Sequence, residues 1–195
     1  MPTLKEKLQF ISEGGSVERY HTRSGIKPDT DAHHSHGVAM LCALLSGAPS
    51  ANLLMAALTH DLAEQGSSDV SAGSKEALGI RDVVNSWEQT KLQEYGLYYQ
   101  DLLTLTETTI LRLADQFDCL MYCCREFALG NRNALLIWRR TCERLENLHG
   151  SDVPLEVSLR ASNVYEAIKE IYHETGAPGG PDFDIFKIAE EANDA

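Results

Sequence analysis

Apolar residues recur along this chain at spacings of three and four almost everywhere, and no segment sustains a period of two. The pattern predicts a helix from about Thr3 to Ser12, with Leu4, Leu8 and Ile11 on one face and Gly14-Gly15 ending it. A polar connector, Arg19 to Asp31, leads to a helix capped by Thr30 or Asp31. On that helix His34, Val38, Leu41 and Leu45 form one continuous inward stripe. Ser50 caps a helix expected over Ala51 to Gln65, stopped by Gly66. Further helices are expected around Ile80 to Tyr95, Thr108 to Leu129, Asn133 to Asn147 and Leu155 to Tyr172. The run Gly176-Ala-Pro-Gly-Gly-Pro181 breaks the pattern. The expectation is one compact all-α domain over residues 1–175, including a C-terminal helical extension, and a Gly/Pro-interrupted tail over 176–195.

Composition changes this picture little. With 195 residues, 43% of them hydrophobic, one domain is large enough to bury its own core. Charge changes it more. Seventeen basic and 29 acidic side chains give a net charge of −12. That balance argues against nucleic acid or an anionic membrane as the main partner, but not against a small phosphorylated ligand held by a few placed cations. No stretch reaches the roughly 20 apolar residues of a membrane span, and the N-terminal residues carry no signal-peptide core. Cys42, Cys119, Cys123, Cys124 and Cys142 are an odd set with no metal-finger spacing, which reads as reduced core thiols and a cytoplasmic location.

Candidate chemistry begins with histidine. Of seven, four fall at positions 33, 34, 36 and 60. His34 shares the apolar stripe of its helix, and a histidine aimed into a bundle needs partners for its ring nitrogens. In Leu58-Thr-His60-Asp61-Leu-Ala-Glu64, three polar residues continue the face begun by Leu53, Leu54, Ala57 and Leu58. Carboxylates at a helix C-terminus oppose the helix dipole, and a cation would resolve the conflict. A third element carries Ile110, Leu113, Ala114, Phe117 and Met121 inward, with Asp115 at the border and Asp118 competing with it. Two imidazoles and two carboxylates suit Mn, Co, Fe or Zn and leave positions for water and a phosphate oxygen.

The pattern His34, His60-Asp61, Asp115 resembles the HD-domain phosphohydrolase superfamily. Several neighbouring features resemble its 5′-deoxynucleotidase-like branch: Arg19-Tyr20, His34-Ser35-x-x-Val38-Ala39, Glu64, Asp69, Lys75 and Arg112-x-Ala114-Asp115. The likeness spans roughly residues 10 to 148. Arg19-Tyr20-His21-Thr22 and His33-His34-Ser35-His36-Gly37 look like the phage members of that branch, which include dATP triphosphohydrolases. There are departures. Ser67-Ser68-Asp69 stands where the branch has Thr-Gly-Asp, the prolines usual after it are missing, and Tyr20 replaces a frequent Trp.

The resemblance implies metal ligation by His34, His60, Asp61 and Asp115, with Co, Mn, Zn, Fe or Ni as the ion and additional Mg accompanying a triphosphate. It implies Glu64 as general acid/base and Asp69 as orienter of water. Arg19, Lys75 and Arg112 would clamp phosphate oxygens, Tyr20 would pack on the deoxyribose, and Thr22 would border the base. The reaction implied is hydrolysis of a 2′-deoxynucleotide, foremost dATP to deoxyadenosine and triphosphate, with a 5′-deoxynucleotidase acting on dNMPs as the alternative. A homo-oligomer, dimer or hexamer, follows by analogy, as does the host cytoplasm for a phage-encoded chain. The histidine pair and Gly-Tyr-Pro signature of cyclic-dinucleotide hydrolysis are missing.

Overall fold

The computed structural model describes residues 1–21, 23–149 and 153–176. The described chain runs α1 (Leu4–Gly14), β1 (Glu18–Arg19), β2 (Asp29–Thr30), α2 (Asp31–Ser46), α3 (Ala51–Thr59), α4 (Glu64–Ser67), α5 (Ala72–Ala77), α6 (Arg81–Tyr95), α7 (Leu105–Ala128), α8 (Leu135–His149) and α9 (Leu155–Glu174). Expected positions 177–195 and Thr22 lie outside the described residues. No described helix is long and apolar enough to cross a membrane.

Central to the bundle is α7, packed against α2, α8 and α9. Its start is fixed by a capping box, in which Thr104 and Glu107 each satisfy the other's backbone N–H. Ile110, Leu113, Ala114 and Phe117 along it are buried, as its stripe predicts, while Met121 is half-buried and Leu120 is the buried residue of that turn. The α2 stripe also holds: His34, Val38 and Leu45 are buried, beneath an N-cap at Thr30 and above a left-handed Gly47. All five cysteines are free and buried, which makes them core thiols.

Three expectations change. The stripe Leu4, Leu8 and Ile11 of α1 is exposed (74%, 61% and 46%), and Phe10 is the buried residue. Phe10 stacks on Tyr95 with ring centroids 4.0 Å apart, while Gly14 comes so close to the Leu62 backbone that a Cβ would meet its carbonyl oxygen at 2.6 Å. One aromatic and one glycine decide the face. The polar connector closes into a short antiparallel ladder, Glu18 opposite Thr30 and Arg19 opposite Asp29, too brief to show a period in sequence.

The third change concerns the helix expected to reach Gln65. α3 stops at Thr59, and Leu58 is exposed. His60 Nδ1 donates to the Ala57 carbonyl at 2.8 Å, satisfying a group the next turn of helix would have used. Tight turns follow, Leu62 N–H to Thr59 O and Glu64 N–H to Asp61 O, before α4 starts. The break turns His60 and Asp61 toward α2 and α7.

Candidate metal centre and its cavity

The four expected ligands converge from three elements. His34 comes from α2, His60 and Asp61 from the turn after α3, and Asp115 from α7. His34 Nε2 lies 3.3 Å from His60 Nε2, 3.6 Å from Asp61 Oδ2 and 3.2 Å from Asp115 Oδ1. His60 Nε2 is 3.4 Å from Asp61 Oδ2. Ligands at about 2.0–2.1 Å from a tetrahedral divalent ion stand roughly 3.3 Å from one another. The spacing fits.

The surrounding contacts aim the same atoms. His60 Nδ1 must be the donor to Ala57 O, a carbonyl, so its Nε2 is left to ligate. His34 Nδ1 lies 2.7 Å from Asp118 Oδ2, the arrangement in which a carboxylate orients a metal-binding imidazole. Asp118 is thus behind the site and Asp115 is in it. Gly37, one turn beyond His34, leaves room for this: a Cβ there would fall 2.0 Å from Asp118 Oδ1. Gln116 Nε2 donates to Asp115 Oδ2 at 2.8 Å.

Electrostatics ask for a cation. Burial and the Arg19 charge press the His34 pKa down, yet the carboxylates of Asp115 and Asp118 outweigh them and lift it to about 9. Burial works against the Asp61 carboxylate, but His60, Arg19 and His34 overcome it and hold its pKa well below the ordinary range. Two neutral imidazoles with two carboxylates would neutralise one divalent ion. The residues present fit such an ion.

A second carboxylate group adjoins the first. Oxygens of Asp31, Asp61 and Glu64 lie within 4.8 Å of one another. Here a guanidinium already serves as the cation, since Arg19 Nη1 bonds Asp61 and lies 3.5 Å from Asp31 Oδ1. Burial, then the charge of Asp61, raises Glu64 far above the carboxylate range and Asp31 to about 7. Glu64 is therefore held as an acid.

No protein-family model and no curated protein matches the chain. Among solved structures it is similar to DatZ, the HD phosphohydrolase of cyanophage S-2L, solved bound to dA and one catalytic Zn2+ ion. That match has 17% identity and a TM-score of 0.63, covering 87% of this chain and 98% of that one. An HD-domain phosphohydrolase from Listeria innocua matches at 19% identity and a TM-score of 0.60, over 88% of this chain and 89% of the other. The chain has the HD-domain phosphohydrolase fold.

Beside this His/Asp cluster opens a cavity of about 220 Å³. Most of the other expected residues line it. Tyr20 stacks on Tyr122 at 4.5 Å and meets Cys119 Sγ through its hydroxyl at 2.8 Å. Its backbone is left-handed (φ 61°), and its N–H donates to Asp69 Oδ2 at 2.8 Å, so Asp69 ties its loop to this strained residue. Lys75 Nζ stands 3.1 Å from Glu88 Oε1 and 4.0 Å from Glu64 Oε1. Buried oxygens of Asp31, Glu64 and Gln116 have no hydrogen-bond partner among the described residues, and Glu64 and Gln116 line the cavity.

Arg112 is the exception. It is exposed on α7 and does not line the cavity among the described residues. Three residues before Asp115 is a rotation of about 60° around the helix, enough to turn it to solvent. Arg23, Arg140 and Arg144 line the cavity instead. The sequence signal for the last two is their spacing of four, which puts both on one face of α8. Asp31, read as a cap, is a buried member of the site.

Proposed function

We propose that this chain is a metal-dependent phosphohydrolase of 2′-deoxynucleotides, acting foremost on dATP to give deoxyadenosine and triphosphate. The observation that carries the reading is the convergence of His34, His60 and Asp61 at metal-ligand spacing, with Asp115 3.2 Å from His34, beside a cavity rich in cations. The dA and Zn2+ bound by the cyanophage neighbour support a divalent ion and a deoxynucleotide substrate. When bound, the ion supplies Lewis-acid polarisation of the phosphate and acidifies water. Glu64, held protonated by burial and lying one turn beyond His60-Asp61, gives a proton to the departing 5′-oxygen. Asp69 orients water from its loop, and Arg19 holds the Asp61 carboxylate in place. The Tyr20 ring, braced on Tyr122, is the wall that packs on the deoxyribose and rejects a 2′-hydroxyl, and Thr22 is assigned to the base edge.

The test is a panel of dNTPs, NTPs and dNMPs incubated with Co, Mn or Zn, with products separated by chromatography. Tripolyphosphate released from dATP is the expected product. Orthophosphate from several dNMPs would select the 5′-deoxynucleotidase reading instead, and no hydrolysis with any ion would end both. The proposal takes the chain to be cytoplasmic and a homo-oligomer, dimer or hexamer, the assembly supported by the exposed stripe Leu4, Leu8 and Ile11. Light scattering of the wild type and of Leu8→Glu measures this directly, with a lower mass expected for the variant.

A further inference from the structure

The cations around the cavity fall into two groups. Arg19 is matched by Asp61 and Asp31, and Lys75 by Glu88 with Glu64 nearby. Arg23, Arg140 and Arg144 form no ion pair among the described residues, although acidic side chains outnumber basic ones by 29 to 17 in this chain. An unmatched arginine on a strongly acidic protein is drawn toward any carboxylate in reach, so three together at one cavity mark an anion's place.

Their placement is specific. Arg23 is half-buried in the connector, its N–H bonded to the Tyr20 carbonyl at 2.8 Å. Arg140 and Arg144 project from successive turns of α8 at the cavity mouth. The Arg140 guanidinium reaches the first turn of α5, just beyond the Asp69 loop, with Nη1 3.2 Å from where a Gly73 Cβ would lie. The three arginines thus lie on the connector and on α8, with Arg140 facing the first turn of α5.

Charge arithmetic decides what they hold. Five basic and at most four acidic side chains line the cavity, so a divalent ion leaves that lining clearly cationic. A nucleoside monophosphate, near −2, is met by the ion and one neighbouring cation. A triphosphate tail carries about twice that charge and needs further cations beyond the reacting phosphorus, where guanidinium groups grip phosphate oxygens two at a time.

We propose that Arg23, Arg140 and Arg144 form a subsite for the outer phosphates of a nucleoside triphosphate. This deepens the functional reading above and rests on it. The subsite is what makes the length of the phosphate tail count.

The test separates binding from turnover. Protein stripped of metal by a chelator is titrated calorimetrically with inorganic tripolyphosphate and with orthophosphate. Tripolyphosphate is expected to bind at least tenfold tighter, and Arg140→Gln/Arg144→Gln to abolish most of that preference. Both residues are exposed, so the double variant should melt as the wild type does. Arg23→Gln alone should give a smaller loss in the same direction. With metal restored, the double variant should lower the ratio of kcat/KM for dATP over dAMP at least tenfold. Equal binding of the two phosphates by the wild type, or unchanged tripolyphosphate binding by the double variant, would overturn the subsite. If tripolyphosphate binding depends on these arginines while no deoxynucleotide is hydrolysed, the subsite stands and the reaction reading falls.

Discussion

A methyl group added at Gly37 would meet Asp118 Oδ1 at 2.0 Å, and Asp118 is what fixes the ring of His34. Gly37→Ala should therefore weaken metal binding roughly 10- to 100-fold while the helices stay folded. Competition against a chelator of known affinity measures it; unchanged affinity would show that the Asp118 contact does not set the ligand. Glu64→Gln removes the proton donor but not the cavity, so nucleotide binding should persist while turnover falls by roughly 10²–10⁴. Ser68 has φ 60° and ψ 163°, a region that suits glycine, and it occupies the position where the resembled branch has Gly in Thr-Gly-Asp. Ser68→Gly should raise unfolding free energy by about 1 kcal/mol, read from denaturant melts. At this scale the clustering of His34, His60, Asp61 and Asp115 was legible because each sits on or just beyond an apolar stripe. Asp118 and Asp31 were harder, since nothing local tells an oriented second carboxylate from a cap. Arg140 and Arg144 share a helix with no ligand, and only the packing of α8 on α7 brings them near.

Elements carry the site by where they stop. A continuous helix from Ala51 to Gln65 would have spread His60 and Asp61 along its surface, but the ring of His60 takes the Ala57 carbonyl and the chain turns. No helix propensity announces that break, because the competitor for the carbonyl is a side chain. The α1 face was misread for a related reason: apolar count favoured Leu4, Leu8 and Ile11, whereas the stacking surface of Tyr95 selected Phe10. The long apolar stripe was the better guide for α7, although the Thr104–Glu107 box starts that helix three residues before the expected Thr108. That helix supports Asp115 and Asp118 from below through Phe117, which has no exposed surface. Phe117→Ala should destabilise the protein by about 3–5 kcal/mol, a cavity-forming loss seen in urea unfolding. It should also broaden metal affinity measurements toward weaker binding, because both aspartates sit on adjacent turns.

Across the whole molecule, the net charge of −12 coexists with a cavity where Arg23, Arg140 and Arg144 form no ion pair among the described residues, an arrangement suited to a small, local anion. The same acidity loads the metal centre. Asp31 is buried, with one oxygen unpartnered among the described residues, and burial together with the charge of Asp61 lifts its pKa from 3.8 to about 7. A carboxyl whose folded pKa exceeds its unfolded value favours the fold while protonated. That contribution is complete below the unfolded value and is lost as pH climbs from 3.8 toward about 7. Protein stripped of metal should therefore lose thermal stability between pH 5 and pH 8. A divalent ion acts in the opposite sense, since imidazoles and carboxylates ligate only when deprotonated and the ion binds the folded state alone. At 100 times its dissociation constant it adds about 2.7 kcal/mol. The rise in Tm on adding Mn or Co should accordingly grow from pH 5 to pH 8, as the Tm of the stripped protein falls. Melting curves with chelator and with saturating metal, recorded across that range, decide it. A metal-induced rise that is the same at every pH would mean that the carboxylate cluster around Asp61 is not what the ion relieves.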